Sequence, residues 1–475
     1  MNTNWSLALP ELTLAVAAMA ILLFGVMRKP DPAFTCTMLA LGALALAAVL
    51  VVSAPAGSAY RGLFVVDGFG SFMKLLILAG AGMSAILALD YNVREGISRF
   101  EFPVLILLST VGMMIMASTS SLMTLYMGLE LQSLSLYVLC AFARDDVRSA
   151  ESGLKFFVLG ALASGLLLYG ISLAYGFAGT MQFAELRAAL SNPAGASTGL
   201  VVGVVFIVAG LAFKLSAVPF HMWTPDVYEG APTPVTAFMS TAPKVAAIAL
   251  LLRALEVPFG PITAQWTGLI VLISIGSMLL GSLAAIGQSN IKRLMAYSSI
   301  GHMGYALVGL AVGSADGVRG VLVYMVTYVF MSAGVFACII AMRRRGRALE
   351  RISDLSGLAR TDPGLALAMA VFMFSMAGIP PFSGFFAKLY VFLPAVQQGY
   401  WTLAVIGVLT SVVGAFYYIR IIKVMYFDAA EPAFDVRPPS VSFVAGVGAL
   451  VTTLFFVYPA PVIAAAQSAA RVLFG

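Results

Sequence analysis

The chain has 475 residues, of which 61% are hydrophobic and only 10% charged, where a soluble chain would carry roughly a quarter charged residues. A bilayer accounts for the difference, and the net charge of +6 is not gathered into a stripe on a polar domain, which argues against a nucleic-acid partner. Cys36, Cys140 and Cys338 lie far apart without disulfide or metal spacing, and His221 and His302 are the only histidines, so no metal, haem or other cofactor is expected.

The N-terminus, MNTNWSLALPELTL, lacks a basic region and a cleavage site, so the first helix is expected to stay. Stretches of roughly 17–25 apolar residues can cross the hydrocarbon core. They are expected near 7–27, 34–53, 69–89, 102–118, 121–142, 153–177, 199–220, 233–255, 265–286, 294–312, 317–342, 363–398, 401–426 and 440–460. The expected fold is an all-α integral membrane protein of about fourteen transmembrane helices. The stretch 363–398 is too long for one regular crossing, and Pro380-Pro381 interrupts it. Pro219 does the same near the end of 199–220, which gives two broken helices. A proline removes a helical hydrogen bond, and such a break survives at membrane depth only where protein or water satisfies the backbone. No polar stretch is large enough for a separate soluble domain.

Lysine and arginine set the orientation. One set of alternate loops holds Arg28, Lys29, Arg94, Arg99, Arg144, Arg148, Lys292, Arg293, the run from Arg343 to Arg360, and Arg437. The other side holds Arg61, Arg187 and Arg471. The basic side is expected to face the cytoplasm, with both termini in the periplasm.

A faint internal duplication runs through the chain. Leu105–Met116 resembles Leu269–Leu280, and Leu122-Met123 matches Leu294-Met295, which sets Glu130 over His302. Gly153-Leu154-Lys155 matches Gly317-Val318-Arg319, and Phe213–Pro219 matches Phe374–Pro380. Lys244 and Arg253 fall over Ser411 and Arg420. All five anchors keep the same order, at offsets between 161 and 172. Each unit holds five spans; five is odd, so the second unit enters from the opposite face. Inverted repeats with broken helices and midplane sites are a transporter architecture. The expected division is a three-helix segment over 1–101, five-helix units over 102–260 and 261–427, and a C-terminal helix and tail over 428–475.

Most charges in the spans lie near helix ends. Lys74, Arg253, Arg319, Arg420 and Lys423 are read as long side chains that snorkel to water. Four residues resist that reading. Lys244 has about 16 Å of helix on either side at 1.5 Å per residue. Lys214 precedes the Pro219 break, Lys388 follows Pro380-Pro381 by two turns, and Glu130 lies near the middle of LMTLYMGLELQSLSLYVL. A charge at such depth costs at least ~2.5–3.5 kcal/mol on insertion scales. Desolvation shifts the proton affinity of any buried amine or carboxyl toward its neutral form. Buried amines and a carboxylate, linked by water around broken helices, can therefore pass protons. The bland alternative is a fixed ion pair that locks helices together. Lys155 is close enough to a helix end either to join the path or to snorkel. His302 is either a relay or a histidine hydrogen-bonded between helices. His221, in PFHMWTPDVYEG, follows the break near the cytoplasmic entrance, where Asp226 and Glu229 either collect protons or face water.

Two segments carry a specific resemblance: FKLSAVPFHMWTPDVYEGAPTPVTAFMSTAPKVAA and FSMAGIPPFSGFFAKLY. They resemble the antiporter-like proton-channel subunits of respiratory complex I, the bacterial NADH-quinone oxidoreductase, and the likeness spans nearly the whole chain. Lysine at position 388, where another member has glutamate, and the absence of a long lateral helix after the last span narrow the likeness within that family. The resemblance implies a modulating pair of Glu130 with Lys214, a central connection at Lys244, and a terminal donor at Lys388 toward the outer side. It also implies a bacterial inner-membrane location, other membrane subunits of the complex as partners, and redox chemistry carried by those other subunits. A subunit of a cation/proton antiporter complex is the nearest rival, and a passive scaffold between pump modules is the third reading.

Overall fold

The computed structural model describes residues 4–29, 31–191 and 197–474; Met1–Thr3 of the N-terminal segment lie outside them. The helices are α1 (Leu9–Met27), α2 (Ala33–Ser53), α3 (Gly68–Arg94), α4 (Glu101–Ala117), α5 (Leu122–Cys140), α6 (Val147–Ala178) and α7 (Phe183–Leu190). Next come α8 (Thr198–Leu215), α9 (Thr224–Gly230), α10 (Thr233–Ser240), α11 (Ala242–Glu256), α12 (Thr263–Ile286), α13 (Ile291–Ala311) and α14 (Ala315–Ala341). The chain continues through α15 (Leu358–Thr361), α16 (Pro363–Ala377), α17 (Ser383–Gln397), α18 (Trp401–Phe427), α19 (Pro439–Leu454) and α20 (Ala460–Arg471). Two small antiparallel hairpins, β1 (Gly57–Ala59) with β2 (Phe64–Val66) and β3 (Arg343–Arg344) with β4 (Arg347–Ala348), lie in loops.

Among the described residues, 10 helices are long and apolar enough to cross a membrane. Three shorter apolar helices, α4, α16 and α19, lie among them. The α13 helix is absent from both sets because Lys292, Arg293, Ser298, Ser299 and His302 dilute its hydropathy; it is instead almost wholly buried. The centre of the bundle is α10–α11 and α14, enclosed by protein along nearly their whole length. The outer helices α1, α2, α6 and α18 leave wide apolar faces exposed, as a lipid-facing layer requires.

Side chains start several helices. Asp67 accepts the Gly70 N–H, Asn290 accepts those of Lys292 and Arg293, and Asp362 accepts that of Leu365; each satisfies an amide that the first turn leaves without a partner. The expected breaks are present, and a third accompanies them. The 233–255 stretch, expected to be one regular span, is interrupted at Thr241 (φ −113°, ψ −92°) between α10 and α11. Pro243 explains it, because proline has no N–H and is tolerated only in a first turn. The residues after the last span, expected as a tail, form α20, which packs against α14 and α3.

The two proline breaks share one hydrogen-bond pattern. The α8 helix ends at Ser216 (φ 61°), whose N–H donates to Phe213 O at 3.0 Å while Ala217 N–H reaches Ala212 O at 2.9 Å. The α16 helix ends at Gly378 (φ 87°), whose N–H donates to Ser375 O at 2.9 Å while Ile379 N–H reaches Phe374 O at 3.0 Å. A left-handed residue closing the last carbonyls is a common helix terminator. The shared pattern sets Ser216 against Gly378 and Pro219 against Pro381, one residue from the pairing expected from sequence. Pro219 faces a proline in either alignment, because the second segment carries two in a row, Pro380 and Pro381.

Candidate proton-carrying site

The buried amines gather at the helix breaks. Lys214, on the last turn of α8, donates to Ser133 Oγ at 2.8 Å and to Tyr137 Oη at 3.4 Å, both on α5. Lys244, on the first turn of α11, donates to Leu215 O at 2.8 Å and to Ser216 Oγ. Lys214 and the residues that hold Lys244 are therefore consecutive in the chain. Lys388, on α17, donates to Met376 O and Ala377 O, both at 3.0 Å, and to Ser411 Oγ on α18 at 2.7 Å. All three side chains are buried. Each ammonium also lies against an aromatic face: Tyr137 and Phe213 for Lys214, Trp223 for Lys244, Tyr305 for Lys388.

Among the described residues, none of these three lysines forms an ion pair; every partner is a carbonyl, a hydroxyl or a ring. The other buried lysines differ. Lys74 pairs with Glu11 at 2.6 Å, and Lys292 with Glu350 at 3.3 Å. An exposed end explains neither. Lys74 and Arg253 were expected to snorkel, yet both are buried. Arg253 grips Asp67 with two nitrogens at 2.8 Å each. Their partners Glu11 and Asp67 lie far away in sequence, so helix position alone misleads. Lys423 does reach out, and Arg420 caps α12 through Ile286 O and Gln288 O at 2.9 and 2.6 Å. Arg319 is half-buried and joins Asp316 at 3.1 Å.

Glu130 accepts a hydrogen bond from Ser164 on α6 and is half-buried. It does not touch Lys214 in this arrangement. The two are joined through α5, since Glu130, Ser133 and Tyr137 share one face at spacings of three and four residues. His302 is fully enclosed: Nδ1 lies 2.6 Å from Tyr324 Oη and Nε2 lies 3.2 Å from Tyr418 Oη. Tyr418 continues to Ser298 at 2.5 Å. A cavity of about 10 Å³ separates His302 from Lys388, bounded by Ser298, Tyr305 and Tyr418; that is about the space of one water.

Lys155 and His221 stand apart from this series. Lys155 is 40% exposed and pairs with Glu151 at 2.7 Å and Asp226 at 2.8 Å. Asp226 also binds Arg293 at 2.6 Å, and Arg293 reaches Glu229 at 2.9 Å. These charges tie α9, after the first break, to α6 and to the start of α13. His221 is half-buried in the loop between α8 and α9, and its Nδ1 has no hydrogen-bond partner among the described residues. The hydroxyls of Ser133, Ser164, Ser216, Ser298, Tyr324 and Tyr418 were not singled out from sequence. The helical spacing of Glu130, Ser133 and Tyr137 offered a signal for Ser133, and the match to Lys244 offered one for Ser411.

Residues 119–414 match the family described as NADH:quinone oxidoreductase/Mrp antiporter, TM. The chain is 65% identical over 475 residues to the NADH-quinone oxidoreductase subunit N of Granulibacter bethesdensis, with 99% of each chain covered. It is 58% identical over 473 residues to the subunit N of Gluconacetobacter diazotrophicus, covering 99% of this chain and 100% of that one. A chain of respiratory complex I from Thermus thermophilus with bound aureothin superposes with a TM-score of 0.81 at 34% identity, over 96% of this chain and 98% of that one. A chain of the Mrp complex from Dietzia sp. superposes with a TM-score of 0.86 at 24% identity, over 98% and 97%, a likeness of fold.

Proposed function

Because the chain belongs to the NADH:quinone oxidoreductase/Mrp antiporter membrane family, we propose that it carries protons through the membrane arm of an NADH-quinone oxidoreductase. It is an antiporter-like, proton-translocating subunit of the subunit N type, surrounded by other membrane subunits of the complex. NADH oxidation and quinone reduction belong to those other subunits, and this chain needs no redox cofactor of its own.

One observation carries the reading. Lys214, Lys244 and Lys388 are buried at helix breaks and held only by neutral acceptors. A structural ion pair fixes its proton between opposite charges, and removing either charge is costly. An ammonium held by carbonyls and hydroxyls has no such anchor. Glu130 modulates Lys214 through the shared α5 face, Lys244 connects the two halves, and Lys388 passes the proton toward the outer side. His302 and the single-water cavity link the centre to Lys388. Lys155, His221 and Asp226 serve the cytoplasmic entrance.

The proposed architecture has fourteen crossings: the ten long spans, the three shorter apolar helices with α17 completing the broken crossing begun by α16, and α13. Residues 1–101 form the N-terminal segment, 102–260 and 261–427 two inverted five-helix units, and 428–475 the C-terminal part. The matching terminations at Ser216 and Gly378 support the pairing of units. The basic loops face the cytoplasm of a bacterium and both termini the periplasm.

The test uses membranes holding the whole complex. With Lys214→Met or Lys244→Met, and assembly verified, NADH oxidation and coupled proton movement are measured together. Loss of pumping is expected; undiminished pumping with either variant refutes the path. The rival reading, a subunit of a cation/proton antiporter, shares the fold. It requires sodium-dependent exchange without NADH, and the 65% identity to a subunit N weighs against it.

A further inference from the structure

A cavity of about 1050 Å³ opens among α1, α4, α5 and α6, at the end of the bundle where the basic loops gather. Its walls divide by chemistry. Leu105, Leu108, Val138, Leu154 and Phe157 line the part that runs along the helices. Val138, Leu154 and Phe157 are 53%, 62% and 49% exposed, so this wall merges with the outer apolar surface. The mouth, formed by the loops, carries Arg99 and Arg144 together with Asp31, Glu101 and Asp145.

The mouth charges are not spent on each other. Ion pairs at this end include Arg343 with Glu95, Arg293 with Asp226 and Glu229, Lys155 with Asp226, and Lys292 with Glu350; among the described residues neither Arg99 nor Arg144 takes part in one. Glu101 Oε2 is buried and has no hydrogen-bond partner among the described residues. A buried carboxylate oxygen without a donor is a costly arrangement that a ligand N–H would relieve.

We propose that this groove binds one phospholipid with a primary ammonium headgroup, a phosphatidylethanolamine. Its phosphate lies between Arg99 and Arg144, its ammonium against Glu101 and Asp145, and its acyl chains along Leu108, Val138 and Leu154. Charge complementarity selects this occupant. Guanidiniums bind phosphate oxygens well, but the three carboxylates outnumber the two guanidiniums, so a net anionic lipid meets repulsion. A choline headgroup has no N–H to offer Glu101. A contiguous exposed apolar wall beside a polar mouth is the surface an amphiphile covers. The groove shares Tyr137 with the surroundings of Lys214, but the charged mouth residues that select the headgroup touch none of the buried lysines, so the failure of this lipid site and the failure of the proton path are distinguishable.

The experiment uses the assembled complex purified from membranes containing phosphatidylethanolamine, phosphatidylglycerol and phosphatidylcholine. A photo-crosslinking residue at Leu154 is activated and the adduct identified by mass spectrometry; in parallel, bound phospholipid is counted. The expected adduct is phosphatidylethanolamine, and Arg99→Gln with Arg144→Gln removes one such lipid per complex, whereas Arg345→Gln removes none. An adduct with a neighbouring polypeptide overturns the proposal, as does an adduct carrying the other headgroups in proportion to their abundance. An unchanged lipid count in the double variant also overturns it. Should the double variant not assemble, the adduct at Leu154 in the otherwise unaltered chain decides alone.

Discussion

Lys244 and Lys388 hold equivalent carbonyls of two different broken helices: Lys244 donates to Leu215 O at 2.8 Å, and Lys388 to Ala377 O at 3.0 Å. Leu215 precedes the left-handed Ser216, and Ala377 precedes the left-handed Gly378. The lysines arrive by different routes, Lys244 from α11, beyond α9 and α10, and Lys388 from the far half of the broken helix itself. A helix terminus leaves carbonyls unpaired and carries partial negative charge. Each break therefore builds a cation site, and each lysine fills it. In the second break Ser411 Oγ lies 3.4 Å from Ala377 O and accepts from Lys388.

Two roles for these lysines are separable, capping and carrying. Arginine caps a helix terminus as well as lysine does, but stays protonated at any accessible pH. Lys244→Arg and Lys388→Arg are expected to assemble, because the positive charge remains. Coupled proton movement should fall by roughly a hundredfold, the low end of what a positioned acid–base group contributes. The check is NADH-driven pH change across vesicles holding the intact complex. Retained pumping in the arginine variants would reduce these lysines to structural caps.

The Lys74–Glu11 pair should behave in the opposite way. Both side chains are almost completely enclosed, 2.6 Å apart, with Phe64 against the ammonium. Glu11→Gln or Lys74→Met alone leaves a buried charge without its partner, which costs about 3–5 kcal/mol. Replacing both, with Glu11→Leu and Lys74→Met, should restore most of that loss. A double-mutant cycle on the thermal stability of the purified complex measures the coupling, and proton pumping per NADH should stay normal in the double variant.

The contrast marks how far sequence carries. Lys214, Lys244, Lys388 and Glu130 were legible because a stranded charge has a cost that needs no partner to recognise. Pro219 and Pro380-Pro381 were legible because proline acts locally. Thr241 was not, since the 233–255 stretch is apolar enough overall to read as one span and the break falls two residues before Pro243. Lys74 and Arg253 were misjudged because their partners come from other helices, and Asp67 is 186 residues from Arg253. Hydroxyls are harder still: Tyr418 and Ser298 are ordinary residues until three helices place them around His302.

Lys388 is held in place by a close approach of backbones. The Gly320 Cα on α14 faces Tyr390 on α17, and a Cβ there would lie 2.2 Å from Tyr390 O. No side-chain rotation relieves a clash with a carbonyl, so α17 would have to shift, and overpacking of this kind costs about 1–3 kcal/mol or more. Gly320→Ala should lower the amount of assembled complex and displace Lys388 two residues away. Gly446→Ala, where nothing lies within 4 Å of the added carbon, should be silent. Blue-native gels quantify assembly for both, and equal yields would contradict the packing.

Glu130 and Ser164 supply the remaining test, because they separate charge from geometry. Ser164 donates to the Glu130 carboxylate, and Lys214 rests on Ser133 one turn along the same helix. If Glu130 acts on Lys214 by its charge, then Glu130→Gln keeps the hydrogen bond from Ser164 and removes only the field. Coupled pumping should fall strongly, with assembly intact. Glu130→Asp keeps the charge but shortens the reach by one methylene, and pumping should survive in part. Ser164→Ala removes one donor from a group that Ser164 does not neutralise, so its effect should be small, of the order of one hydrogen bond to a charged group, about 1.5–3 kcal/mol at most. The order expected in proton movement per NADH is wild type, Ser164→Ala, Glu130→Asp, Glu130→Gln. An inverted order, with the serine variant worst, would mean that the contact between α5 and α6 matters and the carboxylate does not.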